Sequence, residues 1–228
     1  MFPLDFLIGI GSESSMISRY CAGGRQMKER PKETRDGRIR AAREFAQTHD
    51  PDPQHAFQVC KNSLALFDAL MDLHGLGQDE RFLLEAAALM HDTGYENQPM
   101  QHHKGSRDMV MAANLEGYSA RELTMVACIA RYHRKGSPKP SHKGYKDLDK
   151  DDRQRVRKLA GILRVADGLD RCHASSAAVL RAEITPPIVR IYIRQRINSP
   201  TDIEFGLRKA DLFETAFGLK LEIIPERP

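Results

Sequence analysis

Apolar residues recur at a helical period from Gly37 to about Arg171. From Gly37 onward Ile39, Ala42, Phe45 and Ala46 share one face, and Asp36 stands in the capping position. Asp50-Pro51-Asp52-Pro53 breaks this helix. A second helix runs from about Gln54 to Leu73, with Ala56, Phe57, Cys60, Leu64, Phe67, Leu70 and Met71 on its apolar face, and Gly75 and Gly77 stop it. Asp79 can cap a third, which is apolar from Leu83 to Met90 and is predicted to end on the adjacent pair His91-Asp92. After a loop at 94–101, His102-His103-Lys104 opens a helix towards Leu115, closed by Gly117. Ser119-Ala120-Arg121-Glu122 is a capping-box pattern at the head of a helix to about His133. Arg134 to Lys146 is a long basic loop; loops of this length are usually functional or mobile, and a basic one is more often a solvated face than a phosphate cradle. Asp149 to Arg171 is again helical, with Val156, Leu159, Ala160, Leu163, Ala166 and Leu169 turned inward.

After Ser175 the period shortens. Residues 182–185 and 188–193 read as strands around Pro186-Pro187, Asp202 to Phe217 as a helix closed by Gly218, and 219–223 as a third strand. At the other end, Phe6 to Ser14 reads as a short strand with a Gly/Ser turn, and Arg25 to Arg38 as a charged linker or exposed arm. The expectation is a mainly α protein. An arm at 1–36 precedes a helical bundle over 37–175, and a small α+β C-terminal subdomain follows at 176–228.

A chain of 228 residues is long enough to bury a real core. No apolar run reaches the length of a membrane span, and the N-terminus lacks the basic start and long apolar core of a signal peptide. Cys21, Cys60, Cys128 and Cys172 are dispersed and form no CxxC, which suits reduced thiols in a cytoplasmic protein. The net charge of +4 favours anionic partners, phosphates first, and is too small to argue for nucleic acid.

The chemistry centres on His91-Asp92, which offers a nitrogen and a carboxylate ligand from adjacent residues, a donor set suited to a divalent ion of borderline preference. His55 opens one helix, and Asp167 interrupts an apolar face of another. A buried carboxylate there needs a compensating charge. A metal would supply it; so would an intrahelical pair with Arg164 or Arg171, and protonation would remove the need. His102 or His103, together with His133, are candidates for a second ion, with Asp92 bridging the two. Ions about 3.5–4 Å apart can hold a phosphoryl oxygen and generate hydroxide together. Lys104, Arg131, Arg134, Lys135 and Lys139 stand near in sequence and could neutralise phosphate oxygens. Taken singly, each histidine is as readily a capping or surface residue; His49 and His74, at helix ends, read as structural. The joint occurrence of these residues on helices is what points to a site.

His55, His91-Asp92 and Asp167 match the H…HD…D pattern of the HD-domain metal-dependent phosphohydrolase superfamily. The match extends through Leu66-Phe67-Asp68, Leu73-His74-Gly75-Leu76, Ala87 to Gly94, His102-His103-Lys104, Ile129 to Lys135, Arg164 to Arg171 and Arg208 to Glu214. These segments, in this order, resemble the C-terminal half of the exopolyphosphatase/guanosine pentaphosphate phosphatase (Ppx/GppA) family over about residues 38–222. The resemblance implies an HD-type helical domain followed by a small α+β domain, and a homodimer. The family's exopolyphosphatase chemistry belongs to an N-terminal actin-like half, which the chain is expected to lack. Residues 8–14 (Ile-Gly-Ile-Gly-Ser-Glu-Ser) resemble only that half's first phosphate loop, with Gly9 in place of its Asp. Where the family often reads H-H-K-H-S, this chain has Gly105 in the fourth position.

The expectation is an HD-type phosphohydrolase. His55, His91, Asp92 and Asp167 would hold a divalent ion (Mn, Mg, Fe or Co). His103 and His133 are candidates for a second, and Lys104, Arg131 and Arg134 would serve as charge-balancing catalytic residues. The substrate would be a phosphoester or phosphoanhydride: a nucleotide, a guanosine polyphosphate or polyphosphate. The alternative is a non-catalytic module that binds polyphosphate or a nucleotide, or dimerises.

Overall fold

Nine helices and three strands are described in the computed structural model, which covers residues 34–97 and 99–226. The strand and turn expected at residues 6–14, and the charged arm as far as residue 33, lie outside the described residues. The described residues belong to one compact unit.

Helix α1 (Arg35–His49) starts two residues before the expected point. Its cap is Thr34, whose Oγ1 accepts from the Gly37 N–H at 3.2 Å, so Asp36 sits in the first turn instead. Helix α2 (Pro53–Ala69) begins with a proline that the first turn tolerates, and Asp52 caps it by accepting from the His55 N–H at 3.2 Å. The expected continuation to Leu73 is broken at Leu70, and a separate turn, α3 (Met71–His74), follows. Helix α4 (Gln78–Leu89) is capped at Gly77 rather than Asp79, with the Glu80 carboxylate accepting from the Gly77 N–H at 2.9 Å.

Helices α5 (His102–Ala112) and α6 (Ala120–Arg131) follow, and the Ser119/Glu122 capping box is present. Helix α7 (Lys150–Gly168) is capped by Asp149. Leu84, Leu89, Met90, Ile129, Leu159 and Ile162, all fully buried, are among the side chains that close the core between α2, α4, α6 and α7.

Strand β1 (Ala177–Thr185) starts earlier than the alternation suggested and pairs antiparallel with β2 (Ile188–Gln195). The helix expected over 202–217 is two, α8 (Pro200–Arg208) and α9 (Asp211–Phe217), and they lead to β3 (Lys220–Glu226), parallel to β2. Val189, Ile191 and Ile193 alternate inward along the central strand. The sheet docks on α2 through Asn62. Its side-chain amide donates to Ala177 O at 3.1 Å and accepts from the Val179 N–H at 3.3 Å. The architecture is the expected one, a mainly α bundle with a small three-stranded α+β portion at the C-terminal end. No helix among the described residues is long and apolar enough to cross a membrane.

Candidate metal centre

His91 and Asp92 do not close the helix, as the periodicity suggested. Helix α4 ends at Leu89, Met90 caps it, and the pair lies in the turn beyond. That turn packs directly on α5. The Gly94 N–H donates to Ser106 Oγ at 3.0 Å, and a Cβ on Gly94 would sit 2.2 Å from Ser106 N. Gly105 faces the same contact from α5; its own Cβ would meet Gly94 O at 3.1 Å. The departure from H-H-K-H-S thus falls where two backbones touch, and this contact carries the start of α5 to Asp92.

Two groups of donors result, each with its ligand atoms within 4.8 Å of one another: His55, His91 and Asp167, and Asp92, His102 and His133. They adjoin, because His91 Nε2 lies 3.6 Å from Asp92 Oδ2. His102 Nε2 and His133 Nε2 each lie 3.4 Å from Asp92 Oδ1. Of the two consecutive histidines, it is His102 that enters the group, while the expected His103 stands outside both. Neighbours on a helix point about 100° apart, so α5 can present only one of them to Asp92.

The tautomers follow from the hydrogen bonds. A carbonyl oxygen only accepts, so Nδ1–H donates from His91 to Ala88 O (2.8 Å), from His102 to Pro99 O (2.9 Å) and from His133 to Ala130 O (2.7 Å). His55 Nδ1 faces Asp170 Oδ2 at 2.9 Å. In every case Nε2 points into the centre as a bare lone pair or faces a carboxylate there. Orientation of the ring through the other nitrogen is how metal-ligating histidines are held. His102 Nε2 and His133 Nε2 are 3.1 Å apart, and neither has a proton to give the other when neutral. His91 is fully buried, and its Nε2 and Asp92 Oδ1 have no hydrogen-bond partner among the described residues. Converging lone pairs and orphaned buried acceptors fit a cation, and the donor set suits a divalent one.

The electrostatics favour ionised carboxylates at the centre. Burial disfavours charge on Asp92, yet His91, His133 and His102 hold its carboxyl below the ordinary range. Asp167 is held well below it against burial, by Lys209 and His55. Burial pushes the His133 pKa well below the ordinary histidine value. Burial also opposes a proton on His55, but Asp167 (Oδ1 at 3.4 Å from Nε2) and Asp170 outweigh it and push its pKa up to about 10.

The expected intrahelical partners of Asp167 are engaged elsewhere. Arg164, fully buried, donates to Tyr132 O, Gly136 O and Asp211, and Arg171 lies over the Phe205 ring. The ammonium that contacts Asp167 belongs to Lys209. Lys209, Asp170 and Asp50 are residues that sequence reasoning did not place here. Asp170 carried a signal, since it lies three residues beyond Asp167 on what was read as one helix. Asp50 was read as a helix breaker; it is buried, one carboxylate oxygen is unpartnered, and burial raises its pKa.

Of the three basic residues, Arg131 is the informative one. Its Nε and Nη1 are buried without a partner among the described residues, and burial lowers its pKa. His103 is buried beside it, its Nδ1 also unpartnered, and burial together with Arg131 pushes its pKa down to about 3. Arg134 donates to Met100 O at 2.7 Å, and Lys104 donates to Gln101 Oε1 at 2.7 Å. Lys135 and Lys139, on the basic loop, are exposed. His173, outside the predicted set, stacks on His55 with ring centroids 4.0 Å apart and contacts Asp52. His142 accepts from the Tyr132 hydroxyl at 2.7 Å and holds the basic loop.

The family model for the Ppx/GppA phosphatases, domain III, matches residues 38–194. No curated protein matches the chain.

Proposed function

The chain belongs to the Ppx/GppA phosphatase family, and from that premise we propose that it is an HD-type, metal-dependent phosphohydrolase acting on a phosphoester or phosphoanhydride. The observation that carries this reading is the set of four imidazoles whose Nε2 atoms converge beside Asp92 and Asp167. His55, His91 and Asp167 would hold one divalent ion and Asp92, His102 and His133 a second, with Asp92 at the junction. A divalent ion bound there polarises a phosphoryl oxygen and acidifies a water. Asp170 fixes the His55 ring. Arg131, with two guanidinium nitrogens unpaired among the described residues, supplies charge for phosphate oxygens, and Lys104 and Arg134 add to it from the surface. The substrate class is a nucleotide, a guanosine polyphosphate or polyphosphate.

A second reading is a non-catalytic module that binds such an anion. The ammonium already seated on Asp167 favours it, because that carboxylate is then satisfied by protein alone.

Elemental analysis of the purified protein separates the two. We expect one or two equivalents of a transition metal, bound as isolated or after reconstitution with Mn²⁺. The double variant His91→Ala, Asp92→Ala should lose it, and phosphohydrolase activity with it. No bound metal after reconstitution overturns the enzyme reading.

A further inference from the structure

Among the lysine and arginine ion pairs of the described residues, the one between Lys209 and Asp167 is set apart because its carboxylate belongs to a donor group. Asp167 Oδ1 faces His55 Nε2 while Oδ2 meets the Lys209 ammonium, so this lysine shares a carboxylate with the candidate ion. Its charge is also felt at His133, in the second donor group. The side chain is mostly covered, and among the described residues Asp167 is the only hydrogen-bond partner of its ammonium.

The backbone that presents it is tightly set. Lys209 caps α8, its N–H donating to Phe205 O at 3.0 Å. Helix α8 lies against α7 at two glycines: a Cβ on Gly168, the residue after Asp167, would stand 2.7 Å from Gly206 Cα. Two residues beyond Lys209, Asp211 receives the buried Arg164, one turn before Asp167 on α7. The α8–α9 corner is therefore also pinned to α7 by an opposite-sense pair whose carboxylate, Asp211, is in neither donor group. Lys209 does not have to hold the corner by itself.

We infer that Lys209 is a positioning residue of the metal centre. Its ammonium holds Asp167 while no ion is bound, competes with the ion for that carboxylate, and, once displaced, pairs with an oxygen of the bound phosphate. This rests on the metal-centre reading above. The chemistry is that of a covered cation: when the ion takes Asp167, the ammonium is left without its counter-charge, and the anion that can replace it is the ligand itself. Ion and phosphate would then bind cooperatively, each favouring the state in which Lys209 has left Asp167.

The test is calorimetric titration with Mn²⁺, with and without inorganic phosphate, of the wild-type protein, Lys209→Met and Lys209→Arg, each checked for folding by circular dichroism. In Lys209→Met, Mn²⁺ alone should bind tighter by on the order of tenfold, and the enhancement by phosphate should be lost. Lys209→Arg keeps the charge and should retain the weaker Mn²⁺ binding of the wild type. If the wild type binds Mn²⁺ and Lys209→Met binds it no tighter, the inference falls and the metal centre stands. If neither protein binds Mn²⁺, both fall. Should Lys209→Met not fold, Lys209→Gln carries the same comparison, and failure of both to fold while Lys209→Arg folds marks a structural lysine and overturns the inference.

Discussion

His55 serves two carboxylates through one ring. Asp170 takes Nδ1 and Asp167 faces Nε2, and the two together outweigh the burial that would otherwise keep the ring neutral. Asp170 also accepts from the Ser175 N–H at 2.8 Å, so its carboxylate is itself held. If Asp170 orients a ligand, Asp170→Asn should leave the fold intact and weaken Mn²⁺ binding by roughly 10–100-fold, the usual cost of losing an outer-shell partner. Unchanged affinity in a titration of the variant would remove His55 from the ligand set. Asp167 was legible in the chain as a candidate ligand, but the role of Asp170 was not, since it depends on which nitrogen of a histidine 115 residues away it meets.

The contact between the turn after α4 and the start of α5 decides whether the second donor group exists. Gly94 and Gly105 touch backbone to backbone, and nothing larger than hydrogen fits on Gly94 without moving α5. Gly94→Ala is therefore expected to destabilise the protein at or beyond the upper end of the ~1–3 kcal/mol that overpacking costs. It should also lower bound metal by shifting His102 from Asp92, read by urea unfolding and elemental analysis of the same sample. Full metal content in a folded Gly94→Ala protein would mean that Asp92 and His102 do not need this contact. At this scale the helices themselves were readable from their spacing, whereas their ends were not. Leu70 and the Lys209-Ala210 corner each split a predicted helix, and both lie inside helical apolar patterns with no proline to mark the break.

Stability of the whole molecule should fall on the acid side of neutrality, and His74 shows why. Its ring is buried and neutral: Nε2–H donates to Phe67 O at 2.8 Å and Nδ1 accepts from the Leu76 N–H at 2.9 Å. Burial lowers its pKa and Lys158, which donates to the His74 carbonyl, lowers it further, while the hydrogen bond to Phe67 O, together with Asp68 and Glu80, offsets only part of this. In the unfolded chain the ring titrates near its ordinary value of about 6.5. Above that pH both states are neutral and the contribution is complete. As pH falls through it the unfolded state takes up the proton first, so stability is lost towards the lower folded value. Urea unfolding at pH 7.5 and 5.5 should show this loss, and His74→Gln should make it smaller. An unchanged difference in the variant would assign the loss to other groups.

The sequence by itself determined the class of fold, the order of the elements and most of the candidate ligands. Hydrophobic period, proline breaks and the Ser119/Glu122 box are local properties, and side-chain chemistry at His55, His91, Asp92, His133 and Asp167 is written in the residue type. What only the tertiary structure decided were choices between near neighbours and between distant charges. His102 rather than His103 meets Asp92, because the phase of α5 is set by the Gly94–Gly105 contact. Lys209 rather than Arg164 or Arg171 meets Asp167, because α8 crosses α7 at Gly206. Such choices turn on packing between elements far apart in the chain, and local spacing does not encode that.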